Sequence, residues 1–126
     1  MKSLTPKTIS APFGNYSHGI AAGPLVVTSG QLALAADGSI PGDITAQAEL
    51  CFQAVLAILA EDGLEARDVL RFSAFVTKRE DMKPYMAVRD RVCEGLAVKP
   101  ASTLMIVSGF TRPEFLVEVE ALALRR

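Results

Sequence analysis

The sequence predicts an α+β fold in which two helices cover one face of a mixed sheet. Two segments, 43–63 and 80–96, repeat apolar residues at intervals of three and four, as amphipathic helices do. Segments rich in β-branched and apolar residues stand before, between and after them and predict strands. This order is typical of α+β proteins, and 126 residues suffice for a single domain, 1–126.

The first third of the chain predicts a loop followed by a buried strand. Residues 11–24, APFGNYSHGIAAGP, are interrupted by glycines and prolines and predict a loop with a short strand. Residues 24–34, PLVVTSGQLAL, are apolar and β-branched and predict one largely buried strand. Asp37 and Gly38 form a dipeptide that is typical of hairpin turns, so we expect a β-hairpin at 36–39.

The segment 43–63 predicts the first helix, and 69–77 predicts the strand that follows it. Asp43 suits the N-cap of this helix, and Gly63 suits its C-terminal stop. The apolar stripe of the helix consists of Ile44, Ala48, Cys51, Phe52, Val55, Leu56 and Leu59. The strand VLRFSAFVT places its apolar residues on one side, namely Leu70, Phe72, Ala74 and Val76.

The second helix, at about 80–96, has a charged residue on its apolar face. Its stripe consists of Met82, Tyr85, Met86, Val92, Cys93 and Leu96. At about 100° per residue, Arg89 falls inside this arc and Arg91 falls opposite it. Either the stem of Arg89 packs on the stripe while its guanidinium reaches water, or Arg89 binds a carboxylate or phosphate in a cleft. Arg112, in the loop SGFTRP (108–113), is the other candidate for that role.

Two strands are predicted at the end of the chain, at 101–107 and 116–124. In the second, Val117, Val119, Ala121 and Ala123 share one face, and Glu118 and Glu120 share the other. If that second face is packed, burial raises the pKa of a glutamate there and suits it to proton transfer near neutral pH. The alternative is a pair of solvated glutamates. Because the strands are so apolar, we expect the uncovered face of the sheet to be buried by another subunit.

Composition excludes several classes of protein. The net charge is −1, from 13 basic and 14 acidic residues without a basic run, so no nucleic-acid surface is predicted. No stretch approaches the roughly 20 apolar residues of a membrane span, and the segment MKSLTPKTIS lacks the apolar core of a secretory signal. We therefore expect a cytoplasmic protein with no membrane partner.

The residues that most often bind metals or act as nucleophiles are few and scattered. His18 is the only histidine, and the spacing of the two cysteines, Cys51 and Cys93, does not match a zinc site, so no metal site is predicted. Both cysteines suit core positions, because buried cysteine behaves as a small hydrophobe. A disulfide and a nucleophilic role remain the alternatives for them.

Two further places in the sequence suit ligand contacts. Tyr16, in GNYSHG, is either an exposed loop aromatic or a ring that closes over a ligand. Ser29 and Gly30, in TSGQ, end a buried strand, where a glycine permits close approach to the backbone.

Taken together, these segments resemble the Rid family, the reactive intermediate deaminases, also called YjgF or endoribonuclease L-PSP proteins. The resemblance covers nearly the whole chain in order and spacing. It rests on APFGNYSHG (11–19), TSGQL (28–32), AQAELCFQAVLAILAEDGL (46–64), DVLRFSAFVT (68–77), KPAST (99–103) and VEVEALAL (117–124).

The resemblance implies a chorismate-mutase-like fold that assembles as a homotrimer, with ligand sites at the subunit interfaces. It also implies a cofactor-free activity, the hydration of 2-imino or enamino acids with release of ammonia and a 2-keto acid. By position, Tyr16 matches the tyrosine that lines the site, and Ser29 and Gly30 match its strand-end backbone. Glu118 matches the glutamate associated with the catalytic water.

The sequence departs from the deaminase pattern at several site positions. The pattern Pro-Ala-Arg, whose arginine binds the substrate carboxylate, ends here in Ser102. A small or cysteine residue becomes Leu104, and an expected asparagine becomes Met86. Arg89 lies three residues beyond Met86 on the same helix face, where it can supply the missing charge.

The sequence therefore predicts a hydrolase that acts on an imine, enamine or related small reactive metabolite through Glu118 and water, but not a typical 2-imino-acid deaminase. The alternative is a non-catalytic, chaperone-like or small-molecule-binding trimer. A ribonuclease or translation inhibitor is a third interpretation, and the near-neutral charge argues against it.

Overall fold

A seven-stranded mixed sheet carries two helices on one face, which confirms the predicted fold class. The computed structural model describes all residues, 1–126. The helices are α1 (Ile44–Ala60) and α2 (Met82–Val92). The strands are β1 (Lys2–Leu4), β2 (Gly19–Ala22), β3 (Leu25–Thr28), β4 (Gln31–Leu32), β5 (Val69–Val76), β6 (Ala101–Ile106) and β7 (Val117–Leu124). Neither helix is long and apolar enough to cross a membrane.

The sheet is organised around β7, the last strand along the chain. The strand order is β1-β2-β3-β7-β5-β6, and β4 pairs with β7 beyond the end of β3. All pairs are antiparallel except β5 with β6. Strands β1 and β6 form the two edges of the sheet, so β6 has one backbone edge without a partner.

The N-terminal half differs from its prediction in three ways. The expected strand 24–34 is interrupted at Ser29 and Gly30, which separate β3 from β4. The hairpin predicted at 36–39 is wrong: Asp37 Oδ1 accepts hydrogen bonds from the amide and hydroxyl of Ser39, and this local turn leads into α1 rather than into a paired strand. Strand β1 lies in a segment that sequence patterns did not mark.

The predicted helix signals are confirmed at α1 and in part at α2. Asp43 Oδ1 accepts a hydrogen bond from the amide of Ala46 at 2.8 Å, and Gly63 adopts a positive φ of 74°. Helix α1 nevertheless ends at Ala60. Helix α2 covers only the middle of the predicted 80–96, because a 3-10 turn precedes it and the chain turns again at Gly95, where φ is 81°.

The core lies between the helices and the sheet and is mainly aliphatic. At its centre the Phe52 ring contacts the Phe72 ring edge-on at 5.1 Å and stacks on Tyr85 at 5.7 Å. Cys51 and Cys93 are buried free thiols, which confirms their predicted place in the core. Leu70 was wrongly expected to share the buried face of β5. A register shift between 69 and 71 turns it outward and directs Val69 inward.

Candidate functional site

The carboxyl group of Glu118 lies against the backbone of Gly30. A methyl group at Gly30 would stand 2.6 Å from Glu118 Cδ and 2.8 Å from Oε2, closer than atoms in contact approach. Only glycine therefore leaves space for the carboxyl at this place. The break between β3 and β4 puts Gly30 here, because β4 pairs with β7 immediately after it, with Leu32 opposite Glu118.

The environment of Glu118 favours its protonated form. The side chain is half-buried on the sheet face away from the helices, and this burial raises the pKa of the Glu118 carboxyl above its usual range. The charge of Glu120, on the same face, raises that pKa further. None of the ion pairs of the chain includes Glu118. A carboxyl group with a raised pKa takes up a proton more readily than an ordinary glutamate and can return it.

A cavity of about 340 Å³ opens beside Gly30, and Tyr16 forms part of its wall. The Tyr16 ring meets the rings of Phe13 and His18 edge-on, with centroids 5.9 Å and 6.4 Å apart. Tyr16 is 41% exposed, so it is an exposed loop aromatic that also lines this cavity. That its ring closes over a ligand stays a prediction.

Hydrogen bonds hold the loop that carries Tyr16 against the sheet. His18 Nε2 lies 2.6 Å from the Ser10 carbonyl oxygen, and the Gln31 amide nitrogen lies 3.3 Å from His18 Nδ1. Because a carbonyl only accepts and an amide NH₂ only donates, His18 carries its proton on Nε2. Ser29 Oγ donates to the Ser17 carbonyl at 2.6 Å, and the Ser29 amide donates to the His18 carbonyl at 2.8 Å. His18 and Ser29 therefore position the loop.

A second cluster surrounds Arg89. Its Nη1 donates to Ser102 Oγ at 3.3 Å, and its Nε and Nη2 donate to Asp90 Oδ1 at 3.2 and 3.0 Å. These residues line a polar cavity of about 390 Å³ together with Cys93, Lys99 and Pro100. Lys99 Nζ donates to the carbonyls of Cys93 and Leu96, so its charge is engaged at the end of α2. The Arg89 side chain is 24% exposed and is paired with Asp90, which is 70% exposed.

The predicted site residues thus fall into two groups on opposite faces of the sheet. Residues paired directly across strands point to the same side. Ser102 pairs with the core residue Phe72 and faces the helices, whereas Glu118 pairs with Phe75 on the other face. Tyr16, Ser29 and Gly30 belong with Glu118, and Arg89 belongs with Ser102.

Three other candidates have different surroundings. Met86 and Leu104 are partly buried and pack against the core, and neither lines one of these two cavities. Arg112 does line the cavity beside Tyr16, but its Nη2 is bound to Glu114 Oε2 at 2.6 Å. No group of three or more His, Cys, Asp or Glu side chains is arranged to hold a metal ion.

Gln47 holds a wall of the cavity in place and was not predicted from the sequence. It is fully buried on α1, and its Nε2 donates to the carbonyls of Pro41 and Glu114 at 2.7 and 2.8 Å. Its Oε1 accepts from the amide of Leu116 at 2.9 Å. Gln47 thereby fixes the segment before β7 that forms one wall of the cavity. The signal was present, since Gln47 is a polar residue beside the apolar stripe of α1.

The chain is a small α+β domain with a half-buried glutamate that has no ion-pair partner, Glu118, and a cavity lined by a loop tyrosine, Tyr16. The family model described as Endoribonuclease L-PSP matches residues 7–125, and the chain belongs to this family, which confirms the predicted Rid membership. The chain is 29% identical to the 2-iminobutanoate/2-iminopropanoate deaminase of Escherichia coli K12 over 127 residues, which cover 99% of this chain and 98% of that protein.

Two solved structures give the same result for the fold. The YjgF gene product of E. coli is 28% identical, with a TM-score of 0.93 and 100% of both chains covered. E. coli TdcF, solved with bound serine, is 27% identical, with a TM-score of 0.94 and again 100% of both chains covered. The predicted YjgF-like sheet and helices are therefore confirmed.

Proposed function

We propose that this protein is a Rid-family homotrimer that hydrolyses an imine, an enamine or a related small reactive metabolite through Glu118 and water. The observation that carries the proposal is the half-buried Glu118 carboxyl, with its raised pKa and no ion pair, held against Gly30. Family membership and a relative named as a deaminase support a hydrolase-type function on reactive intermediates.

The chemistry needs one group that moves protons. The Glu118 carboxylate accepts a proton from water as the water oxygen bonds to the imine carbon. The substrate reacts as its N-protonated form, so this addition gives a neutral carbinolamine. The Glu118 carboxyl returns its proton to the carbinolamine nitrogen; as the C–N bond breaks, the hydroxyl proton passes to the carboxylate, and a carbonyl compound and ammonia leave. An enamine first gains a proton on carbon and then follows the same course. A carboxyl whose pKa lies above its usual range is suited to both directions of transfer.

The proposal of an oligomer is supported by the sheet face that carries Glu118. Apolar side chains remain exposed there, among them Leu25, Val27, Leu124 and Met105. Exposed apolar groups of this extent are typical of subunit contacts. The two groups of site residues also lie on opposite faces, so a ligand that touches both requires two subunits. We infer that each site combines Tyr16 and Glu118 of one subunit with Arg89 of its neighbour.

Arg89 is the proposed anion-binding residue of this site. The strand position that carries arginine in the deaminases is Ser102, and the Arg89 guanidinium donates a hydrogen bond to that serine. Asp90 neutralises part of the charge of Arg89, which weakens the binding of a carboxylate by Arg89. Weaker binding of the carboxylate supports the proposal that the substrate differs from that of a typical 2-imino-acid deaminase.

The enzymatic proposal is tested by the decay of 2-iminobutanoate generated in situ by a threonine dehydratase, alongside a panel of neutral imines. We expect the protein to accelerate the decay of at least one imine and Glu118→Gln to abolish that acceleration. Glu120→Gln is the matched control: it should retain activity, with the acidic limb of its pH profile moved to lower pH. Equal activity of the Glu118 variant and the wild type would remove Glu118 from the mechanism.

The role of Arg89 is tested by Arg89→Met, with Arg91→Met on the exposed side of the same helix as its control. Arg91 pairs with Glu49 of α1 and lines neither of the two site cavities. We expect Arg89→Met to weaken the binding of carboxylate ligands about 10-fold or more, as loss of a charge-assisted hydrogen bond does, and Arg91→Met to leave binding unchanged. Loss of assembly in Arg89→Met alone would instead make Arg89 an interface residue.

A second candidate function is the binding of a small molecule without turnover. Ser102 in place of the clamping arginine favours it, and one relative was solved with bound serine. Failure to accelerate any imine in the panel, together with measurable binding of 2-keto acids, would establish this alternative. The family description names an endoribonuclease, but a net charge of −1 without a basic cluster gives little attraction for RNA.

A further inference from the structure

The cavity beside Tyr16 is walled mainly by hydrocarbon. Eight of its fourteen lining residues are hydrophobic. They come from four parts of the chain: the N-terminal loop, β4 and the residues after it, α1, and the segment before β7. The apolar side chains of the wall include Ile9, Phe13, Leu32, Leu34, Ala54 and Phe115.

Several of the polar side chains in the wall are already engaged within the protein. His18 and the Gln31 amide nitrogen are bonded to each other, and His18 also bonds the Ser10 carbonyl. Ser10 Oγ donates to the Ala35 carbonyl, and Arg112 is paired with Glu114. What the cavity chiefly offers a ligand is therefore apolar contact, because these polar groups have partners.

The size of the cavity exceeds what a methyl or ethyl group fills. Its volume is about 340 Å³, whereas a water molecule occupies about 30 Å³ of the liquid, so the space equals roughly eleven waters. Glu118 does not itself line the cavity, but Gly30 connects the two: Gly30 lines the cavity, and the Glu118 carboxyl occupies the space that a β-carbon at Gly30 would take.

We infer that this cavity receives the side chain of the substrate and selects imines or enamines with branched aliphatic or aromatic side chains. The inference rests on the proposed function, because it assigns the C=N carbon to the Glu118 side of Gly30. An apolar side chain in the cavity displaces water that finds few free hydrogen-bond partners there. Short side chains leave most of the space unfilled and lose that contribution.

The test compares imines of leucine, phenylalanine and alanine, generated by an amino-acid oxidase in the presence of catalase. One methylene in an apolar pocket changes kcat/KM by about 10- to 200-fold, so we expect the leucine-derived imine to exceed the alanine-derived one by at least about 100-fold. Binding of 4-methyl-2-oxopentanoate, phenylpyruvate and pyruvate, measured by calorimetry, supplies a readout that needs no turnover. The two larger keto acids should bind at least about 10-fold more tightly than pyruvate.

Two variants of α1 connect the preference to the cavity. Ala54→Leu adds three carbons inside it, and Ala60→Leu adds them on an exposed surface of the same helix. Ala54→Leu should lose most of the preference for large ligands, and Ala60→Leu should keep it. Leu34→Ala, which enlarges the cavity, should raise the relative affinity for phenylpyruvate even if Ala54→Leu folds poorly.

The outcomes separate the two proposals. If no imine is hydrolysed but the large keto acids bind preferentially and Ala54→Leu removes that preference, the enzymatic proposal fails and the cavity assignment stands. Equal kcat/KM for small and large imines, or equal affinity for their keto acids, overturns the cavity assignment. A change of oligomeric mass in Ala54→Leu also overturns it, because the cavity would then receive a neighbouring subunit.

Discussion

Replacement of Gly30 by alanine tests the geometry of the proposed site more directly than removal of Glu118. The new methyl carbon would stand 2.6 Å from Glu118 Cδ. Carbon atoms in ordinary contact are about 3.5–4.0 Å apart, so the carboxyl has to withdraw by roughly 1 Å. The obstructing atoms are the end of a flexible side chain rather than backbone, and the carboxyl can move towards the open face of the sheet.

The expected result is a large loss of activity with a small loss of stability. We expect the free energy of unfolding to fall by about 1 kcal/mol, the lower end of the range for overpacked sites. A displacement of 1 Å in a catalytic group lowers the rate by about 100-fold, and we expect kcat/KM for imine hydrolysis to fall by that factor. Urea denaturation and imine decay measure the two quantities on the same preparation.

Gly42→Ala is the matched control, because a methyl group there meets no atom within 4 Å. It should change neither stability nor activity. A Gly30→Ala protein that is folded and fully active would refute the argument, since the position of Glu118 would then be irrelevant to the rate. An NMR titration of the Glu118 carboxyl should show its pKa moving towards the usual range in Gly30→Ala, as the group becomes more exposed.

Three further predictions concern stability. Phe52→Ala should lower the free energy of unfolding by about 3–5 kcal/mol, measured by urea denaturation, because it empties the centre of the core. Glu118→Gln should stabilise the fold at neutral pH, because burial disfavours the ionised carboxyl of the wild type. This gain in stability should vanish below the usual pKa of a glutamate, because the wild-type carboxyl is then protonated in both the folded and the unfolded state. Thermal unfolding at several pH values measures that difference. Arg125 holds the pKa of Asp62 at about 2, so the wild type should keep the stabilisation from this ion pair down to low pH. Arg125→Met should lose that stabilisation at neutral pH. Its melting temperature should approach that of the wild type only near pH 2, where Asp62 becomes protonated.

The helices and the last strands were predictable because their signals are local. Asp43 and Gly63 act as cap and stop where the sequence placed them, and alternation on 116–124 sorted the glutamates from the core residues correctly. The strand errors have a common cause. Whether 24–34 forms one strand or two depends on how it pairs with β7, and β7 lies some 90 residues further along the chain.

Candidate site residues could be named from the sequence, but their arrangement could not be predicted from it. Tyr16, Ser29, Gly30 and Glu118 were identified by resemblance, and Arg89 by a charge inside an apolar stripe. Their separation onto two faces of the sheet follows from the parallel pairing of β5 with β6, which no local pattern reports. The same holds for the cavity, since its walls come from four distant segments and only the folded chain brings them together.

The central position of β7 governs when this protein can fold during its synthesis. Strands β1–β3 form one part of the sheet and β5–β6 the other, and residues 117–124 alone join them. During synthesis β7 leaves the ribosome after every other element. Until then the two parts of the sheet are not joined, and the inner surfaces of α1 and α2 are incompletely covered. Pairings between such distant segments slow folding, and the waiting chain exposes apolar surface to other molecules. We therefore expect the nascent chain to expose most apolar surface just before residues 117–124 emerge.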